Sequence, residues 1–334
     1  VSCSIGIAMY PESSTVEHLI THANEAMLTA SKAGGGVYCL HEPGMTNSGA
    51  DQVEMQRDLR YAMARGELAL HYQPKLDAKS GALVGVEALL RWSHPVRGSV
   101  SPAEFIPVAE RFGLIGDLGF WVLNEACRQM RAWLNVGLEL PVAINLSAHQ
   151  LREHDLSARV TDTLEKYQIP PTMLLMEITE SVAMDDIEAS LRVFDRLSRL
   201  GVKLSIDDFG TGYSSLSYLR RLSARQLKID RSFVNDLDHS HDARAIVEAV
   251  VRLSHALGLT VVAEGVETEA QRKVLVALGC DELQGFLLGR PMTAVALHDW
   301  MDIQLTLRMQ RESDPSPVPS LPATANERHQ HVDV

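Results

Sequence analysis

Between about residues 53 and 305, a short apolar run followed by a longer amphipathic stretch recurs eight times. The runs are Leu68–Gln73, Leu83–Leu89, Val142–Asn145, Leu174–Glu177, Lys203–Asp207, Gln226–Ile229, Thr260–Glu264 and Glu282–Gln284. Such runs, alternating with helical repeats, read as βα units and build a mostly parallel sheet. The helical stretches carry their own start and stop signals. Ser101 stands as an N-cap before Pro102 at a first helical position. Ile187, Leu191, Phe194, Leu197 and Leu200 form an apolar stripe closed by Gly201; Ile246, Val250, Leu253 and Leu257 form another closed by Gly258. Eight units in about 250 residues fit an α/β fold of the (β/α)8 TIM-type barrel. A doubly wound open sheet shows the same alternation and stays in competition, because periodicity does not report closure.

What the runs end in points to chemistry. Glu87 follows Leu83-Val84-Gly85-Val86, Asn145 follows Val142-Ala143-Ile144, and Glu177 follows Leu174-Leu175-Met176. Asp207 and Asp208 follow Lys203-Leu204-Ser205-Ile206, Lys228 lies in Leu227-Lys228-Ile229, Glu264 follows Val261-Val262-Ala263, and Gln284 follows Leu283. In a barrel the C-terminal strand ends converge on one mouth. Singly, each residue has a plain structural reading: a carboxylate or Asn145 after a strand caps the next helix, and a lone lysine is solvated. Gathered together, that much charge is costly unless counter-ions compensate it. Glu87, Glu177, Asp207, Asp208 and Glu264 carry −5, and Lys228 with two divalent cations would carry +5. All-oxygen donors, with the Asn145 carbonyl, favour Mg²⁺ or Mn²⁺ over thiolate-bound zinc. Two such ions about 3.5–4 Å apart serve in-line displacement at phosphorus. A net charge of −12 disfavours a nucleic-acid polymer as partner. It allows a small anionic substrate once bound cations reverse the local field.

The same residues carry a resemblance. Glu87-Ala88-Leu89-Leu90-Arg91-Trp92, Asn145-Leu146-Ser147, Glu177-Ile178-Thr179-Glu180 and Asp207-Asp208-Phe209-Gly210-Thr211-Gly212-Tyr213 occur in that order. Lys228-Ile229-Asp230, Ala263-Glu264-Gly265-Val266-Glu267 and Gln284-Gly285-Phe286 follow. Over about residues 53–305 the sequence thereby resembles the EAL domain family, the cyclic di-GMP phosphodiesterases. The resemblance implies a barrel whose first strand runs antiparallel, hydrolysis of cyclic di-GMP to linear pGpG, and two Mg²⁺ or Mn²⁺ ions per site. It implies metal contact by Glu87, Asn145, Glu177, Asp207 and Asp208, and catalytic roles for Glu87, Lys228 and Glu264. It leaves open whether Lys228 and Glu264 act as base or orient the water; a metal that acidifies water makes a dedicated base dispensable. It further implies substrate contact by Gln73, Leu90, Arg91, Asn145, Gln150, Lys228, Glu267 and Gln284. The fork of donors on Arg91 suits a phosphate. Glu180 is expected to steady the Asp207–Tyr213 loop, which in the family links the site to a homodimer interface.

The flanks read differently. Residues 1–44, through Ser4-Ile5-Gly6-Ile7-Ala8, Pro11, Ala26-Met27 and Ser31-Lys32-Ala33-Gly34, resemble the closing segment of a GGDEF domain. The GGDEF signature itself is absent, so no cyclase activity is expected of this piece. Within it, a strand from Cys3 to Met9, a helix from Val16 to Lys32 and a strand from Val37 to Leu40 are expected, the helix presenting Leu19, Ile20, Ala23, Met27 and Ala30. Residues 45–52 read as a linker, and 306–334, with Pro315, Pro317, Pro319 and Pro322, as a disordered tail. Cys3, Cys39, Cys127 and Cys280 form no CxxC pair and fit reduced thiols. No run of about 18 apolar residues offers a membrane span, so a cytoplasmic location without membrane contact is expected. The start at Val1, inside an apolar segment, reads as a cut from a longer protein. Two functional classes compete: an active phosphodiesterase, and a cyclic di-GMP receptor that has lost ligands. The complete acidic set favours the enzyme; another metal-dependent barrel enzyme rests on fold analogy alone.

Overall fold

A computed structural model of the chain describes residues 3–9, 19–32, 38–41, 48–210 and 219–313. It divides into two units, Val1–Met292 and Thr293–Val334. At the start of the first unit, β1 (Ile5–Ile7) and β2 (Tyr38–Leu40) pair in parallel, with the helix Leu19–Lys32 between them in sequence. That helix lies close against β1 because Gly6 has no side chain; a Cβ there would collide with the Ala23 carbonyl. It buries Ala26 and Ala30 but leaves Ile20 84% exposed, so the expected stripe is narrower than the pattern suggested. Val16, Gly34 to Gly36 and Val37 lie outside the described residues.

The helix Ser48–Arg65 takes in residues 48–52, which were expected to be linker. Its reason is visible downstream: Met55, Leu59 and Ala62 recur at helical spacing and are all buried.

The following strands are β3 (Leu68–Asp77), β4 (Leu83–His94), β5 (Gly98–Val100), β6 (Val142–Asn145), β7 (Leu174–Thr179), β8 (Lys203–Phe209), β9 (Gln226–Ile229), β10 (Thr260–Ala263) and β11 (Glu282–Gln284). β4, β6, β7, β8, β9, β10 and β11 pair in parallel in that order. β3 lies antiparallel between β11 and β4 and closes the ring. Closure removes the open doubly wound sheet and gives the eight-stranded barrel with its reversed first strand. β5 is extra; it pairs with the far end of β4, Trp92 opposite Val100.

Four strands outrun their expected lengths, β7 reaching Thr179, β8 reaching Phe209, and β3 and β4 going further still. β3 continues through Pro74 to Asp77, and beyond the proline its register with β4 shifts between Lys75 and Leu76, so that Leu76 stands opposite Leu83. β4 continues to His94, so Glu87 sits inside a strand and not at its end.

Helices cover the ring. Ile187–Leu200 buries Phe194 and Leu197 and ends at Gly201 in the left-handed region, φ 92°. His241–Ala256 differs from expectation. It buries Val247, Val251 and Ser254 and leaves Ile246 45% exposed. The sequence offers two adjacent apolar rows there. The row that turns inward ends in the small Ser254, whose hydroxyl donates back to the Val250 carbonyl at 2.8 Å. Beside β3 and β4, Trp92 stacks edge-on against Phe105 at 5.5 Å and donates its indole N–H to Glu67 Oε2 at 3.0 Å. Met55, Leu59, Leu68 and Leu118 complete that cluster.

The second unit contributes the helix Ala294–Ser313, which extends past residue 305 into the expected tail. Thr306 to Arg311 holds good helix formers, and the first proline comes only at Pro315. The proline-containing stretch lies outside the described residues. Among the described residues, no helix is long and apolar enough to cross a membrane. Cys127 and Cys280 are buried, and all four cysteines are free thiols.

Candidate active site

Parallel strands bring their C-terminal ends to one mouth, and there the sequence's scattered carboxylates meet. Lys228, on β9 and 1% exposed, is their hub. Its Nζ lies 2.7 Å from Glu177 Oε2, 3.1 Å from Asp207 Oδ2, 2.5 Å from Glu264 Oε1 and 3.5 Å from Glu87 Oε2. An ammonium has three N–H donors, so four carboxylates share fewer bonds than they could accept.

Amides fix the remaining oxygens of Glu87. Asn145 Nδ2 donates to Oε1 at 2.9 Å, and Gln284 Nε2 donates to Oε2 at 2.7 Å. Gln284 Nε2 also reaches Gln73 Oε1 at 3.1 Å, and Gln73 Nε2 donates to the Gly289 carbonyl at 3.1 Å. With its NH₂ engaged, Asn145 has its carbonyl oxygen to offer a cation.

Glu177 is fully buried and receives a second lysine. Lys75 Nζ, from β3, donates to Oε1 at 3.1 Å. Lys75 was not among the expected site residues. The available signal was a lysine two positions after Gln73 on a strand otherwise buried, a charge with no solvent to face.

The electrostatics divide the acids. Burial pushes the Glu177 carboxyl up, but Lys228 and Lys75 outweigh it and hold the group at about 2. Asp207 goes the other way, to about 6, because burial and the neighbouring Glu177, Glu87 and Asp208 exceed the pull of Lys228. Burial likewise raises Glu264 to about 8, with Asp207 and Glu87 adding to it against Lys228. For Lys228, burial favours the neutral amine, and Glu177, Glu264, Glu87 and Asp207 reverse this and raise it well above the usual lysine value. The site therefore holds more negative charge than its lysines neutralise.

Five carboxylates face two ammoniums, an excess of three negative charges. Oxygens of Asp207, Asp208 and Glu264 lie within 4.8 Å of one another. Asp208 adopts the left-handed backbone, φ 53°, and its N–H donates to Asp207 Oδ1 at 2.9 Å. That conformation costs about 1 kcal/mol for a residue with a Cβ, least for Asp and Asn. An oxygen-only, over-charged donor set fits hard divalent cations.

The mouth opens into a pocket of 260 Å³ lined by Gln73, Glu87, Leu89, Asp207, Lys228, Glu264, Glu267, Gln284, Arg231 and Phe286. Glu267 is exposed at this rim. Arg91 is half-buried, four residues beyond Glu87 on the same strand face, and its Nη1 donates to the Leu90 carbonyl at 2.9 Å.

Leu90 and Gln150 do not line this pocket. The Leu90 side chain points to the opposite strand face and packs on the Trp92–Phe105 cluster, while Leu89 lines the pocket. Gln150 is buried in a capping box, its Oε1 accepting from the Ser147 N–H at 3.2 Å and hydroxyl at 3.1 Å. Its amide is used in starting a helix. Glu180 is buried, and its Oε2 accepts from the Gly210 N–H at 2.8 Å, at the base of the loop. Thr211, Gly212 and Tyr213 lie outside the described residues.

The family model described as EAL domain matches residues 56–291. The chain belongs to the EAL domain family. It is 51% identical over 299 residues to the bifunctional diguanylate cyclase/cyclic di-GMP phosphodiesterase MucR of Pseudomonas aeruginosa, covering 89% of this chain and 44% of that protein. It is 39% identical over 300 residues to the cyclic di-GMP phosphodiesterase PdeR of Escherichia coli, covering 90% and 45%. The EAL domain here thus comes in a chain spanning less than half the length of these relatives. Among solved structures, the PaMucR phosphodiesterase in complex with c-di-GMP is 54% identical with a TM-score of 0.71, covering 73% of this chain and 99% of that one.

Proposed function

We infer that this EAL domain hydrolyses cyclic di-GMP to linear pGpG with the help of two divalent cations, Mg²⁺ or Mn²⁺. The carrying observation is the convergence of Glu87, Glu177, Asp207 and Glu264 on one buried lysine, with Asp208 and Asn145 at its edge. The names of MucR, PdeR and the c-di-GMP complex support the choice of substrate.

Glu87, Asn145, Glu177, Asp207 and Asp208 would hold the cations. A bound divalent pair supplies charge neutralisation at phosphorus and a water of lowered pKa. The protein's own groups do the rest. Asn145 and Gln284 hold Glu87 in one orientation from both sides. Lys228 and Glu264, 2.5 Å apart, flank the attacking water: the Lys228 ammonium orients it by donating to its oxygen, and the Glu264 carboxylate is the group that takes up its proton. Arg91 and the rim residues Gln73, Gln284 and Glu267 engage the dinucleotide. The water oxygen bonds to phosphorus as one ribose P–O bond breaks. The leaving oxygen gains a proton, and one water is consumed per ring opened.

The cation arithmetic favours this substrate. Two dications turn an excess of three negative charges into one positive, facing a ligand with two phosphodiester anions. The same reading extends to a homodimer formed through the EAL domain, to a cytoplasmic setting, and to residues 1–44 as the end of an upstream GGDEF domain.

Incubation of the purified protein with cyclic di-GMP and Mn²⁺, followed by chromatography, tests it. Accumulating pGpG that EDTA suppresses is the expected result. Dinucleotide that binds and stays intact would assign the domain to the receptors.

A further inference from the structure

The mouth is not the largest opening of the barrel. A cavity of 610 Å³ lies at the opposite end, lined by Val142, Leu175, Lys203, Gln226, Thr260 and Glu282 at or near the beginnings of their strands. Lys75 lines it too. It comes from the one antiparallel strand, so its place near the C-terminal end of β3 puts it at the end of the barrel where the parallel strands begin.

From there the Lys75 side chain, 3% exposed, runs inward and meets Glu177 from beneath. Glu177 thus has one ammonium on each oxygen, Lys75 on Oε1 and Lys228 on Oε2. The two lysines differ in their other contacts. Lys228 is shared among four carboxylates of the site, whereas Lys75 makes its ion pair with Glu177.

We propose that Lys75 is a positioning residue that holds Glu177 from the far end of the barrel, fixing Oε1 so that Oε2 is the oxygen presented to the cation. Three features carry this. Glu177 is wholly buried, so in the unaltered protein Lys75 and not solvent orients Oε1. An acceptor left unpaired at such depth would turn toward Lys228 and take donors from Asp207 and Glu264. And the hydrogen bond and ion pair of the Lys75 ammonium go to Glu177, so the effect of its charge reaches the mouth through that carboxylate. Partners that orient metal-binding side chains are commonly worth about 10–100-fold in metal affinity.

The inference rests on the metal reading of the site, and the experiment separates the two. Mn²⁺ binding is measured by calorimetry, without substrate, on the unaltered protein, Lys75→Ala and Lys75→Met; the methionine keeps an apolar stem in the barrel and removes only the charge and donors. Both variants are expected to bind Mn²⁺ about 10–100-fold more weakly, and to lower kcat while KM for cyclic di-GMP changes little. n-Propylammonium restores the atoms lost in Lys75→Ala and can enter through the 610 Å³ cavity. It is expected to recover Mn²⁺ affinity saturably. In a Glu177→Gln background, Lys75→Met is expected to cost nothing further, because the carboxylate it acts through is gone. Should Lys75→Met fail to fold alone, its double variant with Glu177→Gln, which removes both charges, is compared with Glu177→Gln. Wild-type affinity in folded Lys75→Met, or an undiminished loss in the Glu177→Gln background, would overturn the proposal. No Mn²⁺ binding by the unaltered protein would overturn the metal reading and this inference together.

Discussion

Glu87 Oε2 and Lys228 Nζ lie 3.5 Å apart, on strands from opposite halves of the barrel. The same oxygen already accepts 2.7 Å from Gln284. Glu87 is therefore held more firmly by amides than by the lysine. Glu87→Gln should leave the fold intact while abolishing measurable pGpG formation. Unchanged thermal unfolding beside lost turnover checks this; a variant that turns over normally would remove Glu87 from the machinery.

Lys228 offsets the buried Glu87, Glu177 and Asp207 and the half-buried Glu264, so Lys228→Met leaves the site with Lys75 as its one ammonium among these contacts. Removing one partner of a buried ion pair costs about 3–5 kcal/mol. The variant should melt well below the unaltered protein without divalent ions and recover a larger share of its stability when Mn²⁺ is added. Thermal melts with and without Mn²⁺ read this directly. Equal Mn²⁺-induced shifts in the two proteins would contradict it.

Two acids with raised values give a pH dependence of definite sign. Without metal, Asp207 keeps its proton up to about pH 6 and Glu264 up to about 8. The folded state then binds more protons than the unfolded chain between about pH 4 and 8, so these two groups lower stability as pH rises across that window. Glu177, held at about 2, contributes in the opposite sense, but only at the acid end, where its stabilisation is lost as pH falls toward 2. Cations must displace the protons on Asp207 and Glu264, so Mn²⁺ affinity should climb from pH 6 to 8 with net proton release. Calorimetry in buffers of different ionisation enthalpy measures it; affinity flat across the window would refute the assignment.

Glu180 accepts from the Gly210 N–H at the start of the loop after β8. Gly210 has φ 100°, a conformation that favours glycine, and this hydrogen bond holds its N–H. Glu180→Ala should speed hydrogen exchange at Gly210 and lower kcat more than it changes metal affinity. Protection equal to that of the unaltered protein would show the contact to be dispensable.

Much of this architecture is legible in the residues because burial punishes misplaced charge. The eight strands and the polar residues that end them follow from pattern, and Gly201 closes its helix where expected. What escaped has physical causes. Closure depends on β3 pairing with β11, Asp77 opposite Glu282, a contact between segments far apart in sequence that no local pattern carries. Lys75 escaped because an isolated lysine looks the same in sequence whether it faces water or Glu177. The capping role of Gln150 was not read because a capping amide and a ligand-binding amide share one sequence appearance. Ile246 was placed inward because two apolar rows lie side by side on one helix, and only packing chooses between them.

The most direct measurement is an anomalous-scattering map from crystals grown with Mn²⁺ and cyclic di-GMP. The account predicts two peaks about 3.5–4 Å apart, within bonding reach of Glu87, Asn145, Glu177, Asp207 and Asp208, beside a phosphodiester of the ligand. Bound dinucleotide with no Mn²⁺ among those oxygens, in protein that still makes pGpG, would contradict it.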